Sequence, residues 1–389
     1  MPAPTAAPPL ARAHPDEVPV LVDPAAGVTL RPLVAADLPR VVEQCRDPDM
    51  IRFTTVPTPE GGYGLADARA FLDHVVDGWR SGKNLVWAIE GRDSPGLFCG
   101  SIDLRLHGDG LAEVGFGLHP DARGRHLMSG ALRLVRDFAF DVAGQQAVRW
   151  RAVVGNWGSR RVAAAAGWPC EGVVRASLVH RGELLDGWVG TLLVGDPRVS
   201  RLWSDPPVLS GPGLRLRPFR EEDADRVVEA CGDARTQHWL VSLAGPYRRE
   251  HALSYVEGAR ELAAAGHGYV WCVAAADDDR CLGAISLEGL GGYSKRAEIG
   301  YWAHPDARGR GLTTRAVRTV LRHALVPWDD GGLGLRRVHA HAVSSNAASC
   351  RVLAAAGLRE VGRTRREALL GNGTWSDTTR FDLLAEEWR

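Results

Sequence analysis

The heptapeptide "HPDARGR" stands at His119–Arg125 and again at His304–Arg310, and the two copies part at the next residue, His126 in the first and Gly311 in the second. Sliding the chain against itself near that spacing aligns more. "VTLRPLVAADLPRVVEQCRDPDM" (28–50) answers "LRLRPFREEDADRVVEACGDART" (214–236), and "NWGSRRVAAAAGW" (156–168) answers "NAASCRVLAAAGL" (346–358). The matches keep one order in both halves, as duplication of a whole domain requires. So long a period excludes a solenoid of short units.

Between the halves, "GDPRVSRLWSDPPVLSGPG" (195–213) holds four prolines and three glycines, which continue neither a helix nor a central strand. The expected organisation is a mobile Pro/Ala-rich leader over 1–27, an N-terminal domain over 28–195, a linker over 196–213 and a C-terminal domain over 214–389. The length of 389 residues suits two compact domains. Lys plus Arg equals Asp plus Glu at 47 each, so no overall charge draws the chain to nucleic acid or an anionic membrane. Seven cysteines without a C-x-x-C pair, no secretory signal and no long apolar run lead us to expect a soluble cytoplasmic protein with reduced thiols.

Within the second half the periodicity changes in a regular order. "LRLRPF" alternates as a strand does, and "EEDADRVVEAC" opens acidic and continues at helical spacing. Residues 268–276, 281–290 and 297–305 are short apolar runs bounded by turns, read as successive strands. Leu312, Ala316, Val317, Val320, Leu321 and Ala324 mark one face of a helix. A strand over 336–343, a helix over 347–356 stopped by Gly357, and a strand over 375–384 complete the order βα(α)βββαβαβ. The expected class is α/β in the α+β sense: each half a mixed, mostly antiparallel sheet with helices on both faces.

The informative constellation is a strand, then "HPDARGRGL", then a helix. Consecutive amides at a helix start, reinforced by the helix dipole, suit a pyrophosphate. Gly311 lets the backbone approach without a Cβ, and Arg308 and Arg310 are expected to add charge at the rim.

These stretches, with "AEIGYWAHPDARGRGLTTRAV" and "NAASCRVLAAAGLREVG", resemble the GNAT superfamily of acyl-CoA N-acyltransferases. Within it they resemble the RimJ/RimL-like branch, which acetylates N-terminal amines of ribosomal proteins and related substrates. The resemblance covers about 28–387. It implies that acetyl-CoA is the co-substrate and that Arg308, Gly309, Arg310, Gly311, Leu312 and Thr313 form its pyrophosphate loop, with Thr313 where a small residue is usual. It also implies that the preceding strand splays at a bulge, where amides near Trp302 and Ala303 hold the pantetheine and polarise the thioester carbonyl. Asn346 would bond the CoA arm and Ser349 lie near the sulfur. The first copy reads Arg123-x-x-His126-x-Met128. An imidazole at 126 costs little if φ is negative but adds bulk where a phosphate should approach, so the second half is expected to be the working enzyme.

Aminolysis of a thioester needs a proton acceptor for the amine, and an acid can meet the thiolate. Glu298 is the base candidate and Ser349 the acid; the family's tyrosine is missing from the short helix. Glu367 is a second carboxylate, and proximity alone is a third route. Each has a plainer reading: Glu298 as an ion-pair partner on a solvated face, Asn346 and Ser349 as a helix cap. His339 and His341 form an H-x-H, but their counterparts are Arg149 and Arg151 and no third ligand is evident, so no metal is expected. Trp239 and the 238–250 loop are placed at an acceptor groove, while Cys45 and Cys231 read as core.

The resulting expectation is a cytoplasmic N-acetyltransferase acting on a peptide N-terminus or an amine-bearing small molecule, the two halves forming an intramolecular pseudo-dimer. The rivals are a mycothiol synthase-like or Fem-like two-domain acyltransferase and a non-catalytic acyl-CoA-binding or assembly module.

Overall fold

A computed structural model describes residues 18–201, 203–240 and 242–388. The chain divides into two units, 1–201 and 202–389. Unit one runs β1 (Leu21–Asp23), β2 (Val28–Arg31), α1 (Leu38–Arg46), α2 (Pro48–Phe53), α3 (Leu65–Ser81), β3 (Asn84–Gly91), β4 (Gly100–Gly108), β5 (Leu111–Leu118), α4 (Leu127–Asp141), β6 (Ala147–Val153), α5 (Trp157–Ala165), β7 (Gly172–His180) and β8 (Glu183–Leu193). Unit two repeats the order as β9 (Leu209–Gly211), β10 (Leu214–Pro218), α6 (Ala224–Gly232), α7 (Ala234–Trp239), α8 (Arg249–Ala264), β11 (Gly268–Ala275), β12 (Cys281–Glu288), β13 (Arg296–Ala303), α9 (Leu312–Leu325), β14 (Arg337–Val343), α10 (Ala347–Ala356), β15 (Arg359–Leu369) and β16 (Trp375–Leu384).

Each unit is one eight-stranded sheet, in the order β1-β2-β3-β4-β5-β6-β8-β7 and its counterpart in unit two. Neighbours are antiparallel except β5 with β6 and β13 with β14. In unit two the apolar stripe of α9, from Leu312 to Ala324, is buried against β10–β14. Helices α6 and α8 cover the opposite face, where Val227, Cys231 and Val256 meet Val270, Cys272 and Ala284. This is the mixed sheet with helices on both faces that the periodicity predicts. No helix among the described residues is long and apolar enough to cross a membrane.

Three features differ from the expectation. Residues 18–27 are not a free leader: β1 pairs with β2, and Trp87 Nε1 donates to the Pro19 carbonyl at 2.9 Å. Residues 1–17 lie outside the described part. Unit two repeats this lead-in inside the expected linker, with β9 against β10 and Trp271 Nε1 on the Pro207 carbonyl at 2.8 Å. At the linker's other end, Arg198 pairs with Asp141 and Arg201 donates to the Gly167 carbonyl, so those residues pack on unit one. Strands β7 and β15 are additional. "REVGRTRREAL" hides its strand because it lies at a sheet edge with almost every side chain in solvent, so no apolar alternation is demanded of it.

The repeated motifs are clamps. In "LRP…D", buried Arg217 makes two bonds to buried Asp223, at 2.7 and 2.9 Å, and Asp223 also accepts from the Arg220 amide. Arg31 and Asp37 repeat the pair. In "HPDAR", His304 Nε2 lies 3.0 Å from Glu229, Asp306 accepts from Arg226 at 2.9 Å and Arg308 reaches Asp233 at 2.6 Å. Unit one has the same set: His119 with Glu43, Asp121 with Arg40 and Arg123 with Asp47. The seven letters recur because three of them bind the strand-to-helix loop to the first helix and the turn after it.

Two outcomes test these clamps. Asp223→Ala leaves Arg217 buried with only Asp279 to offset its charge, and is expected to destabilise unit two by about 3 kcal/mol, read from its urea midpoint. The bond from Arg308 holds the Asp233 carboxyl below its ordinary value of 3.8. Its contribution is therefore full above that pH and lost as acid titrates the folded pair. Protection of the amides over 304–312, relative to their intrinsic exchange at each pH, should fall on acidification below pH ~4, and Asp233→Asn should remove that acid response.

Candidate active site

The site grows from a ladder that ends early. β13 pairs with β14 only from Arg296–Arg337 to Glu298–His339, while on its other side it stays in register with β12 as far as Ala303. Beyond Glu298 the two parallel strands diverge. His304 N donates to the Leu282 carbonyl, and alternation then turns the amides of Gly300 and Trp302 to β12 and those of Tyr301 and Ala303 into the split. The expected amide pair is thereby corrected by one residue: Ala303 faces the gap, but its companion is Tyr301, not Trp302. The expected bulge is also absent from β13, whose register with β12 is unbroken.

The split continues into the start of α9. One cleft is lined by Gly283 and Ala284 of β12, Tyr301, Trp302 and Ala303 of β13, and Leu312, Thr313 and Ala316 of α9. Gly311 caps α9 at φ 71°. The first intrahelical bond is Arg315 N to the Gly311 carbonyl, so the amides of Leu312, Thr313 and Thr314 have no helical partner. The Leu312 side chain is buried in the core, leaving only its amide for a ligand. Gly309, at φ 73° and exposed, supplies the turn.

Arg308 is not at the rim. Its guanidinium is turned inward to Asp233 and Thr236. Arg310 is exposed, and Arg315, one turn into α9, approaches the Arg310 carbonyl at 3.3 Å and leaves its buried Nε without a partner among the described residues. Arg315 was not legible as a loop residue because it stands among helical letters; its distance of four from Gly311 is the signal that was available.

Asn346 caps α10, accepting from Ser349 N at 3.2 Å. That cap brings Ser349 to the split, where its Oγ lies 2.9 Å from Tyr301 Oη. Burial pushes the Tyr301 phenol up to about 12. A tyrosine hydroxyl thus reaches the split from β13 and not from the short helix. It was read only as a strand residue, and its direction depends on the sheet parity.

On the opposite face, Glu298 stands beside His339 and His341, with His341 Nδ1 at 2.7 Å and His339 Nε2 at 3.6 Å. The two imidazoles hold this carboxyl well below the usual carboxylate range. A group that weakly basic does not suit the role of lone base. Glu367 joins the same surface through Arg380, at 2.6 Å, and Thr378. It is aimed there by a bulge between Thr364 and Ala368, with Arg366 at φ 50° donating its amide to Asp377. The hairpin turn touches the end of α7, where Gly371 N donates to the His238 carbonyl.

Unit one keeps the scaffold and differs in the side chains around its split. Its split begins after Val114–Trp150, and His126 caps α4 at φ 58°, the conformation of Gly311. The condition for a low cost, a negative φ, is not met: the imidazole is borne in a left-handed backbone costing roughly 1–2 kcal/mol. A Cβ at 311 would meet the Arg315 guanidinium at 3.4 Å, and unit one has Gly130 at the arginine's place. Phe116 stands for Tyr301, Ser159 is engaged by Trp150 Nε1, and Glu113 is locked by Arg151 and Arg105.

Another cluster brings three donor atoms within 4.8 Å, from buried Asp223, Cys272 and Cys281. Both Asp223 oxygens are already held by Arg217, which does not suit a metal there.

Comparison with known proteins matches both halves to one family. The family described as acetyltransferase (GNAT) domain matches residues 28–168 and again 213–359. The uncharacterised N-acetyltransferase YoaA of Bacillus subtilis (strain 168) is 27% identical over 180 residues, 46% of this chain and 97% of its own. The probable N-acetyltransferase YjcK of the same organism is 28% identical over 174 residues, 44% of this chain and 93% of its own. Among solved structures, Mycobacterium smegmatis RimJ in complex with CoA-disulfide is 25% identical with a TM-score of 0.41, covering 46% of this chain and 87% of that one. With both halves matched to one family and each half folded around the same split sheet, this chain belongs to the GNAT acetyltransferases and is an acyltransferase built from two such domains.

Proposed function

We propose that the second unit transfers acetyl from acetyl-CoA to a primary amine, of a peptide N-terminus or a small molecule, while the first unit does not perform this chemistry. The observation that carries this reading is the single cleft joining the Tyr301 and Ala303 amides to the open start of α9. The residues present fit the co-substrate. The amides of Leu312, Thr313 and Thr314, with Arg310 and Arg315 beside them, would take the diphosphate, and Gly309 and Gly311 allow the backbone to approach it. The Asn346 side-chain amide would meet the pantetheine arm. The Tyr301 and Ala303 amides would polarise the thioester carbonyl as a donor pair aimed at the developing oxyanion.

The amine nitrogen attacks the carbonyl carbon, a C–N bond forms and the C–S bond breaks. The thiolate takes a proton from the Tyr301–Ser349 hydroxyl pair, which recovers one from solvent, and the proton shed by nitrogen leaves on the Glu298 side of the sheet. Tyr301 and Glu298 sit on opposite faces of β13, three residues or roughly 10 Å apart, so donor and acceptor flank the split. In unit one Phe116 and the arginine-locked Glu113 leave neither role filled. Arg308 and Trp302 serve as loop clamp and wall.

Calorimetry with acetyl-CoA and CoA-release assays against a panel of amines test the reading. Wild type should bind at unit two and turn over. Gly311→Trp should abolish both. Tyr301→Phe should keep the Kd and lower kcat about 10²-fold, the size of a lost proton donor. Turnover that survives Gly311→Trp and is lost with a change at His126 would reverse the assignment of the two units.

A further inference from the structure

We infer that the proton acceptor of the second unit is the Nε2 atom of His341, with Glu298 as its positioning partner. This rests on the acyl-transfer reading above and assigns within it a group that the sequence offered only as half of an H-x-H pair. His341 Nδ1 lies 2.7 Å from Glu298 Oε1 and its ring is half exposed. The carboxylate is acceptor-only, so Nδ1 carries the hydrogen and Nε2 carries the lone pair. Nε2 has no bonded partner among the described residues. Glu298 is at the last rung of the β13–β14 ladder and His341 two residues beyond it on β14, so the imidazole borders the split where the strands part.

The chemistry separates the two groups. A base works best when its conjugate acid titrates near the working pH. Glu298 is held far below that range by its two imidazoles, whereas the hydrogen bond to Glu298 moves His341 upward from 6.5. The other titratable and charged groups facing His341 are His339 on its own strand, Glu367 on β15 and Arg380 on β16. Glu367 supports the imidazolium and Arg380 opposes it.

The chain also carries an internal control. Unit one has Arg149 and Arg151 at the two histidine positions, and Arg151 bonds Glu113 at 2.9 and 3.0 Å. An arginine holds its proton throughout the working range, so the same scaffold without an imidazole has no acceptor at this place. In unit two the acceptor nitrogen gives up its proton to His341 Nε2 as the C–N bond forms, and the imidazolium returns it to solvent.

The test combines the pH profile of kcat at saturating amine with an NMR titration of the His341 ring in the full chain. Wild type should show an acid limb above pH 6.5 that coincides with the ring titration. His341→Gln should lose that limb and about 10²-fold or more in kcat while acetyl-CoA binds as before. Glu298→Gln should shift both the limb and the ring titration to lower pH. His341→Gly should regain activity with added imidazole, which a merely structural role would not allow. A His341→Gln variant that keeps its kcat and limb overturns the assignment and leaves acyl transfer standing. A wild type that releases no CoA with any amine overturns both.

Discussion

The site depends on a hydrogen-bond ladder that stops. Two parallel strands, β13 and β14, share three residue pairs and then separate, while β13 remains paired with β12 from Glu298 to Ala303. Because β13 is held on one edge only, its amides on the other edge are presented to a gap instead of a neighbour. An amide in such a gap must find a partner, and in the function proposed above a thioester carbonyl would supply it. The opening of α9 extends the same logic, since the first amides of any helix lack internal acceptors.

Around this gap the two units divide labour between what is shared and what is not. The shared residues are mechanical: His304, Asp306 and Arg308, like His119, Asp121 and Arg123, tie a glycine-rich loop to the first helix and the turn after it. They hold the loop at one pair of backbone angles even when its cap residue is an imidazole instead of glycine. The residues that differ are chemical. Tyr301 replaces Phe116, His339 and His341 replace Arg149 and Arg151, and Arg315 replaces Gly130. A duplicated domain can lose its titratable groups without losing its fold, because the clamps and the core lie elsewhere.

This division explains which parts of the site were legible in the letters. The loop, its cap and Asn346 were readable because backbone geometry at a helix start is local and its residue preferences are strong. Arg308 was readable as a loop residue but not as a clamp, since its partner Asp233 is 75 positions away. The role of Tyr301 and the pairing of His341 with Glu298 were hidden for a related reason. A strand residue declares its face only once its neighbours are known, and the identity of Tyr301's companion, Ser349, depends on how α10 lies against the sheet. The exposed strand β15 was missed because an edge strand in water carries no apolar signature.

The sequence by itself determined the duplication, the sheet-and-helix class and the position of the glycine-bearing turn that opens α9, since each follows from periodicity or from conformational preferences within a few residues. Only the tertiary structure decided which amides face the split, that Arg308 braces while Arg310 and Arg315 remain at the loop, and that Glu298 is paired with an imidazole. Those outcomes are set by strand parity and by contacts between residues distant in the chain, where a shift of one position along β13 exchanges one face of the sheet for the other.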